Sequence, residues 1–280
     1  STISLSSLRN HTPKHYKKAK KASDLCEHCE LLQPLKHKLS QLQHQHDGGQ
    51  PLQLQQKICE IKQQIECIEF HQEVANIQRN EFKSRRCKLG KRECLILFDF
   101  KQNVMIGTGP RQLSQDYYQL TQQSILGFVV YYNDPLSNQP QQVNFHCISN
   151  ILSHDGLFVK DCINMLLEQQ FMKQFQIVTF WSDCGSHFRN GELLHHVLFD
   201  VPKRFLIQTS FHFFGEKHGK SACDSEFSVL SQWLKEITNS VQVNTTQDLL
   251  FYFRKKSSES FNQNAEGISR EFLLYERNSR

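Results

Sequence analysis

Three carboxylates stand at positions an apolar core would ordinarily refuse. Asp99 lies inside the run Cys94–Phe100 (CLILFDF), Asp183 closes the stretch QIVTFWSD that begins at Gln176, and Asp224 opens an amphipathic helix. Burying a carboxylate without a partner costs several kcal/mol, so each must be paired, hydrogen-bonded or metal-bound. Taken singly, an Asp at a strand end is a cap or turn former. Three in this order predict an acidic cluster that holds two hard cations, Mg2+ or Mn2+, through oxygen. Such ions lie roughly 3.5–4 Å apart, one activating a water or a 3'-hydroxyl and the other stabilising the leaving oxygen of a phosphodiester. The third acid is a choice. On a helical wheel Glu226 lies about 60° and Asp224 about 100° from the centre of the apolar stripe, so both are boundary positions. Glu216, ahead of the helix, is a poorer third.

Polar neighbours crowd these acids. His187 and Arg189 follow Asp183, while His218 and Lys220 flank Gly219 just before the acid-bearing helix. They suit holding a scissile phosphate or orienting a water; as loop residues they would also be ordinary surface. Phe211, Phe213 and Phe214 could stack on a base or simply fill the core. His154-Asp155 reads as a helix cap.

A second set is soft. Cys26-x2-Cys29 is half of a zinc site, and the other half should lie on the facing arm of a helical hairpin bent at Gly48-Gly49. Cys67 and His71 lie about as far after that bend as Cys29 and Cys26 lie before it. Their spacing, i and i+4, puts both on one helical face. A Cys3His zinc site of Cys26, Cys29, Cys67 and His71 is the expectation. Pro34 loosens the register, Cys59 level with His37 is a rival pair, and a thiol-rich hairpin core is the plain alternative.

The elements that must position these residues fall into zones. Residues 1–92 form a basic N-terminal segment containing the hairpin at about 24–82: Leu35, Leu39 and Leu42 on one arm, then Leu54, Ile58, Ile61, Ile65 and Ile68 on the other. Residues 83–92 (KSRRCKLGKR) hold six bases and no acid and read as an exposed linker. From Glu93 the pattern becomes strand-like at 94–100, 124–132 and 143–149. A helix from Asp155 to about Lys173 follows, then a strand at 176–181, a short helix at 191–199, a strand at 204–211 and a helix at 221–237. The fold class predicted is α/β, a mixed five-stranded sheet flanked by helices across 93–254, with 255–280 as a polar tail.

Charge divides the same way. The 280 residues carry a net +5, but 1–92 hold 17 Lys/Arg against 9 Asp/Glu and the remainder 16 against 19. A basic front half predicts contact with a polyanion, through the cluster Lys17, Lys18, Lys20 and Lys21 and through Arg85 and Arg86; the alternative is a basic face that only solvates polar helices. With 38% apolar residues a real core is within reach, yet no run approaches the roughly 18 apolar residues of a spanning helix, so no membrane role is expected. Ten Cys without scaffold spacing predict a reducing compartment.

The order of elements and acids resembles the RNase H-like catalytic core of DDE/D transposases and retroviral integrases. In that family the first Asp sits on the first strand, the second follows the fourth, and the third acid lies on a helix after the fifth. Trp181-Ser182-Asp183-Cys184-Gly185-Ser186-His187-Phe188-Arg189-Asn190 is similar to the integrase segment in which Asp-Asn-Gly precedes an aromatic and Asn. His218-Gly219-Lys220-Ser221-Ala222-Cys223-Asp224 resembles the HGK-x-x-CD motif of eukaryotic transposon-derived proteins, and Cys26-x2-Cys29 the Cys-x-x-Cys stretch ahead of such cores. The motif favours Asp224 as third acid, whereas the Glu of most integrases favours Glu226; we take Asp224. The resemblance covers about 94–240. It implies a DNA transposase or integrase-like nuclease and strand transferase with catalytic Asp99, Asp183 and Asp224, two Mg2+ or Mn2+ ions and one structural Zn2+. It further implies transposon-end and target DNA as partners, a nuclear location and a homo-oligomer on DNA. Two other classes share the features: a domesticated, catalytically silent DNA-binding protein of the same fold, and a zinc-stabilised interaction scaffold.

Overall fold

A computed structural model describes residues 26–45, 52–111, 120–215, 218, 222–263 and 268–277. The Lys17, Lys18, Lys20 and Lys21 cluster, the Gly48-Gly49 bend, Glu216 and Lys220 lie outside the described residues. The chain divides into two compact units, Ser1–Ile65 and Glu66–Arg280. None of the described helices is long and apolar enough to cross a membrane.

In the first unit a single turn, α1 (Glu27–Glu30), leads into α2 (Leu32–Gln45), and the unit ends inside α3 (Leu52–Cys87). Its buried apolar side chains are Cys26, Leu32, Ile61 and Ile65, the last two from the isoleucine seam read in the sequence. The segment 83–92, expected as an exposed linker, is helical as far as Cys87. An ion pair at i and i+4, Glu81–Arg85 at 2.6 Å, supports that turn, and Arg85 and Arg86 suit the negative end of a helix. Tertiary contact fixes it further: Phe82 packs edge-on against Trp181 and Phe214, with ring centroids 5.3 and 5.2 Å away.

The second unit is built on a six-stranded mixed sheet, one strand more than the sequence predicted. β1 (Glu93–Ile106), β2 (Thr121–Asn133) and β3 (Pro140–Ser149) form an antiparallel meander. α4 (Gly156–Glu168) crosses to β4 (Ile177–Ser182), parallel to β1. Three short helical turns, α5 (Gly191–His195), a π turn at His196–Asp200 and α6 (Val201–Phe205), lead to β5 (Gln208–Phe213), parallel to β4. Then come α7 (Ala222–Thr238), α8 (Thr246–Gln263) and β6 (Ser269–Leu274), which joins the far edge parallel to β3. The spatial order is β5-β4-β1-β2-β3-β6.

The polar tail expected at 255–280 is therefore replaced by the second half of α8 and by β6. Leu249, Leu250 and Phe253 anchor α8, and Phe272 anchors β6; these few apolar positions gain their partners only in the folded sheet. At α4 the Asp155 carboxylate accepts the Phe158 backbone N–H at 2.8 Å, the expected cap. That helix ends at Glu168 rather than near Lys173, and Gln170–Gln174 continues as a 3-10 turn.

Strand alternation sorts the core into two layers. Cys94, Ile96 and Phe98 face one layer, with α4 supplying Phe158, Val159, Ile163 and Leu166. Leu95 and Leu97 face the other, with Trp181, the α7 residues Cys223, Phe227 and Leu230, and Phe253 of α8. Continuing the alternation puts Asp99 and Lys101 on the α7 side. Gly127, paired with Asp99 across the ladder, lies under Phe227 of α7. A Cβ there would stand 2.6 Å from Cε1 of Phe227, so only glycine lets the helix sit at this depth.

Candidate functional site

The three acids come from three elements, and among the described residues they do not form a close group of metal donors, although the charges of Asp183 and Asp224 reach Asp99. Asp99, partly buried near the middle of β1, accepts the Phe100 backbone N–H at 2.8 Å. Asp183 follows the last residue of β4 and accepts the Gly185 N–H at 2.8 Å, a local turn of the kind Asp favours. Gly185 has no room for a side chain, since a Cβ would lie 2.7 Å from His187 Cε1 and 3.0 Å from Asp183 Oδ1. Asp224 stands exposed in the first turn of α7, where a carboxylate also suits the positive end of the helix. Next to it the buried Cys223 thiol points back at the Leu97 carbonyl, with Sγ 3.7 Å away. Thus the helix carrying one acid is seated on the strand carrying another.

The acids also feel one another. Burial pushes the Asp99 carboxyl up, the charge of Asp183 pushes it further and Asp224 adds to this. The Phe100 N–H opposes them, and the result is about 7. Close to neutral pH, Asp99 is therefore divided between its acid and its ionised form. Burial is the larger cause, and the neighbouring negative charges add to it.

Glu226 has a different role. Only 5% exposed, it takes a two-pronged contact from Arg270, through Nε to Oε1 and through Nη2 to Oε2, the latter at 3.1 Å. His146 Nε2 lies 3.3 Å from Oε1. Burial would raise its pKa, but the hydrogen bonds and charges of His146 and Arg270 hold the carboxyl below the usual range. A carboxylate this fully engaged is part of the packing between α7, β3 and β6. Of the two acids weighed for the third position, Asp224 is the one that raises Asp99.

The predicted polar neighbours separate. His187 packs edge-on against Phe100, 5.2 Å between centroids, and its buried Nε2 has no hydrogen-bond partner among the described residues. Burial lowers its pKa, Asp183 opposes this, and His154 reinforces it. Arg189 is exposed. Arg85 is paired with Glu81, and the Arg86 guanidinium lies 4.1 Å over the Tyr131 ring. One neighbour, His154, reads in the sequence only as part of a helix cap, and another, Lys101, escaped sequence reasoning. His154 stacks on Phe100 and reaches Ser124 and Asn103, both at 3.1 Å. Lys101 projects from the acid face of β1 with its ammonium 5.8 Å from the Phe227 ring centre, and burial lowers its pKa. Strict alternation from Asp99 would have marked Lys101.

The thiol and imidazole donors fall in both units. In the first, Cys26 is buried and Cys29 half-buried. In the second, Cys67, expected as a ligand beside His71, is exposed, and His71 meets His218 instead. His37 and Cys59, the rival pair, are both exposed. His71 Nε2 and His218 Nε2 are 2.8 Å apart. Arg79 Nη2 lies 3.0 Å from His218 Nδ1, and Arg79 Nε donates to the His218 carbonyl at 3.4 Å. Burial, with the neighbouring His71 and Arg79, lowers the His218 pKa. A cation on Nε2 requires a neutral ring with its proton on Nδ1. Arg79 would then have to leave Nδ1, and the carbonyl contact is the one it could retain.

With this geometry in hand, the chain can be placed in a family. The profile described as a domain of unknown function, DUF8701, matches residues 78–265, and the chain belongs to that family. The matched span contains Asp99, Asp183, Asp224 and His218, and begins after Cys26, Cys29 and His71. No curated protein and no solved structure matches the chain.

The raised Asp99 pKa has a thermodynamic consequence. The unfolded chain releases this proton near the ordinary value of 3.8, whereas the folded chain holds it to about 7. Between those values the folded state binds more protons, so stability falls as pH rises and levels off above the folded pKa. Denaturant unfolding without added divalent metal, across this window, should show that fall in the wild type. The fall should be smaller in Asp99→Asn, with the two curves converging at the acid end. Parallel curves would mean that Asp99 is not protonated in the folded chain.

Proposed function

We propose that this protein is a metal-dependent DNA nuclease and strand transferase with an RNase H-like core, of the transposase and integrase kind. The observation that supports the reading is a buried Asp99 whose carboxyl is raised by burial and, further, by the charges of Asp183 and Asp224 from two other elements. Asp99 on the first strand, Asp183 directly after the fourth and Asp224 on the helix after the fifth follow the order that the resemblance implies. The donor set suits hard cations, being all oxygen and partly exposed.

When bound, two Mg2+ or Mn2+ ions would lower the pKa of a water or 3'-hydroxyl and stabilise the leaving oxygen. Asp99 supplies a carboxylate that gives up its proton when a cation is held. Asp183, fixed by the Gly185 N–H, presents a pre-oriented oxygen, and Asp224 reaches from α7. In the hydrolytic step, water oxygen bonds to phosphorus while the bond to the 3' oxygen breaks, which leaves a 3'-hydroxyl and a 5'-phosphate. That hydroxyl, losing its proton, then attacks a target phosphodiester and displaces a new 3' oxygen. DNA as partner, action in the nucleus and assembly of several copies on DNA belong to the same reading.

Supercoiled plasmid nicking tests it. The full chain with Mn2+ should convert plasmid to the open circle, and Asp99→Asn, Asp183→Asn and Asp224→Asn should each reduce the rate by more than about a hundredfold. That exceeds the 10–100-fold typical of losing an outer-shell partner of a metal ligand. Nicking that survives all three changes contradicts the assignment; DNA binding with no nicking would favour a silent DNA-binding protein of the same fold.

We also propose that the chain holds one structural zinc, for which Cys26-x2-Cys29 and the adjacent imidazoles His71 and His218 supply the ligand types. Two thiolates and two imidazoles are a common tetrahedral zinc set, and a metal bound only by the folded chain adds directly to its stability. Elemental analysis of freshly purified, unchelated protein should give about one zinc per chain. Cys29→Ser and His218→Ala should lose it, and Cys67→Ser should keep it. Zinc lost from Cys67→Ser but kept in His218→Ala would restore the ligand set read from helical spacing.

A further inference from the structure

We infer that Lys101 is a substrate-phosphate contact of the carboxylate site, holding the backbone of the bound nucleic acid strand beside the acids. The nature of the polyanion rests on the nuclease reading; the placement of the cation does not. Lys101 follows Asp99 by two residues on the same face of β1, about 6–7 Å along the strand. Its ammonium lies 5.8 Å from the ring centre of Phe227, which is one turn after Asp224 on α7. One cation is thus held between the strand and the helix that carry two of the three acids. The ladder between β1 and β2 shifts register just beyond it, between Lys101 and Val104, and a bulge of this kind re-aims side chains at a sheet rim.

An internal counter-ion is the competing role, and the geometry disfavours it. Among the described residues no Asp or Glu makes an ion pair with Lys101, although Asp99 lies on its face of β1. A partly buried ammonium resting on an aromatic ring and making no ion pair, two residues along the strand from Asp99, is arranged to receive an anion from outside. The aromatic contact holds the stem in place without neutralising the charge.

The test separates charge from packing. Lys101→Met keeps the stem over Phe227 and removes the charge; Lys101→Arg keeps the charge. Both would be made in the full chain carrying Asp183→Asn, so that the DNA stays intact, and binding to a labelled duplex would be followed by anisotropy across a salt series. One lost phosphate contact should reduce the slope of log affinity against log salt by about 0.9. We expect that loss in Lys101→Met, an unchanged slope in Lys101→Arg and equal thermal midpoints for both. A single neutral methylphosphonate linkage should weaken the Lys101 protein at one position of the duplex and leave Lys101→Met indifferent to that position. An unchanged slope in Lys101→Met overturns the inference, as does an equal loss in Lys101→Arg. Plasmid nicking that survives Asp99→Asn would instead defeat the nuclease reading while leaving the slope result to judge Lys101. A chain with no salt-dependent DNA binding defeats both.

Discussion

A carboxylate in the middle of a strand is the constraint that the rest of this face answers to. Burying it is costly, and negative charges nearby make it costlier. Asp99 on β1 is such a group, with the charges of Asp183 and Asp224 within reach. One backbone N–H goes to Asp99 and one to Asp183. Burial first, then those charges, leave an Asp99 that holds its proton to about 7. Glu226 shows the contrast: the same fold surrounds that acid with Arg270 and His146.

The surrounding structure serves this face. Gly127 lets α7 sit deep on the sheet, the Cys223 thiol seats its first turn on Leu97, and Phe227 bears Lys101. Glu226, one turn of helix from Cys223, ties α7 to β6 through Arg270. Position in α7 therefore depends on sheet and tail together, which gives β6 a role beyond extending the sheet. The loop before α7 carries His218, whose partners are His71 and Arg79 on α3.

Much of this was legible from residue types alone. The apolar runs in CLILFDF and QIVTFW marked two strands of the sheet, and Asp155 marked a helix start. What was hidden needed tertiary information. His218 is 147 residues from His71, so no helical spacing could pair them, whereas Cys67 at i and i+4 from His71 looked right and proved exposed. β6 carries one fully buried residue, Phe272, in a charged hexapeptide, and α8 is polar on most of its surface, so neither stood out from a loose tail. The engagement of Glu226 could not be read on a helical wheel, because Arg270, its partner, arrives on a strand 44 positions later.

The central claim is that Asp99 is a strained carboxylate waiting for a cation. Carbon-13 labelling of the aspartate carboxyls allows its titration to be followed directly by NMR, without and with Mg2+. The account predicts a midpoint of about 7 for Asp99 in the metal-free chain, falling well below that once Mg2+ is present. An Asp99 carboxyl that titrates in the ordinary carboxylate range without metal, or a raised midpoint that Mg2+ leaves unmoved, would contradict it.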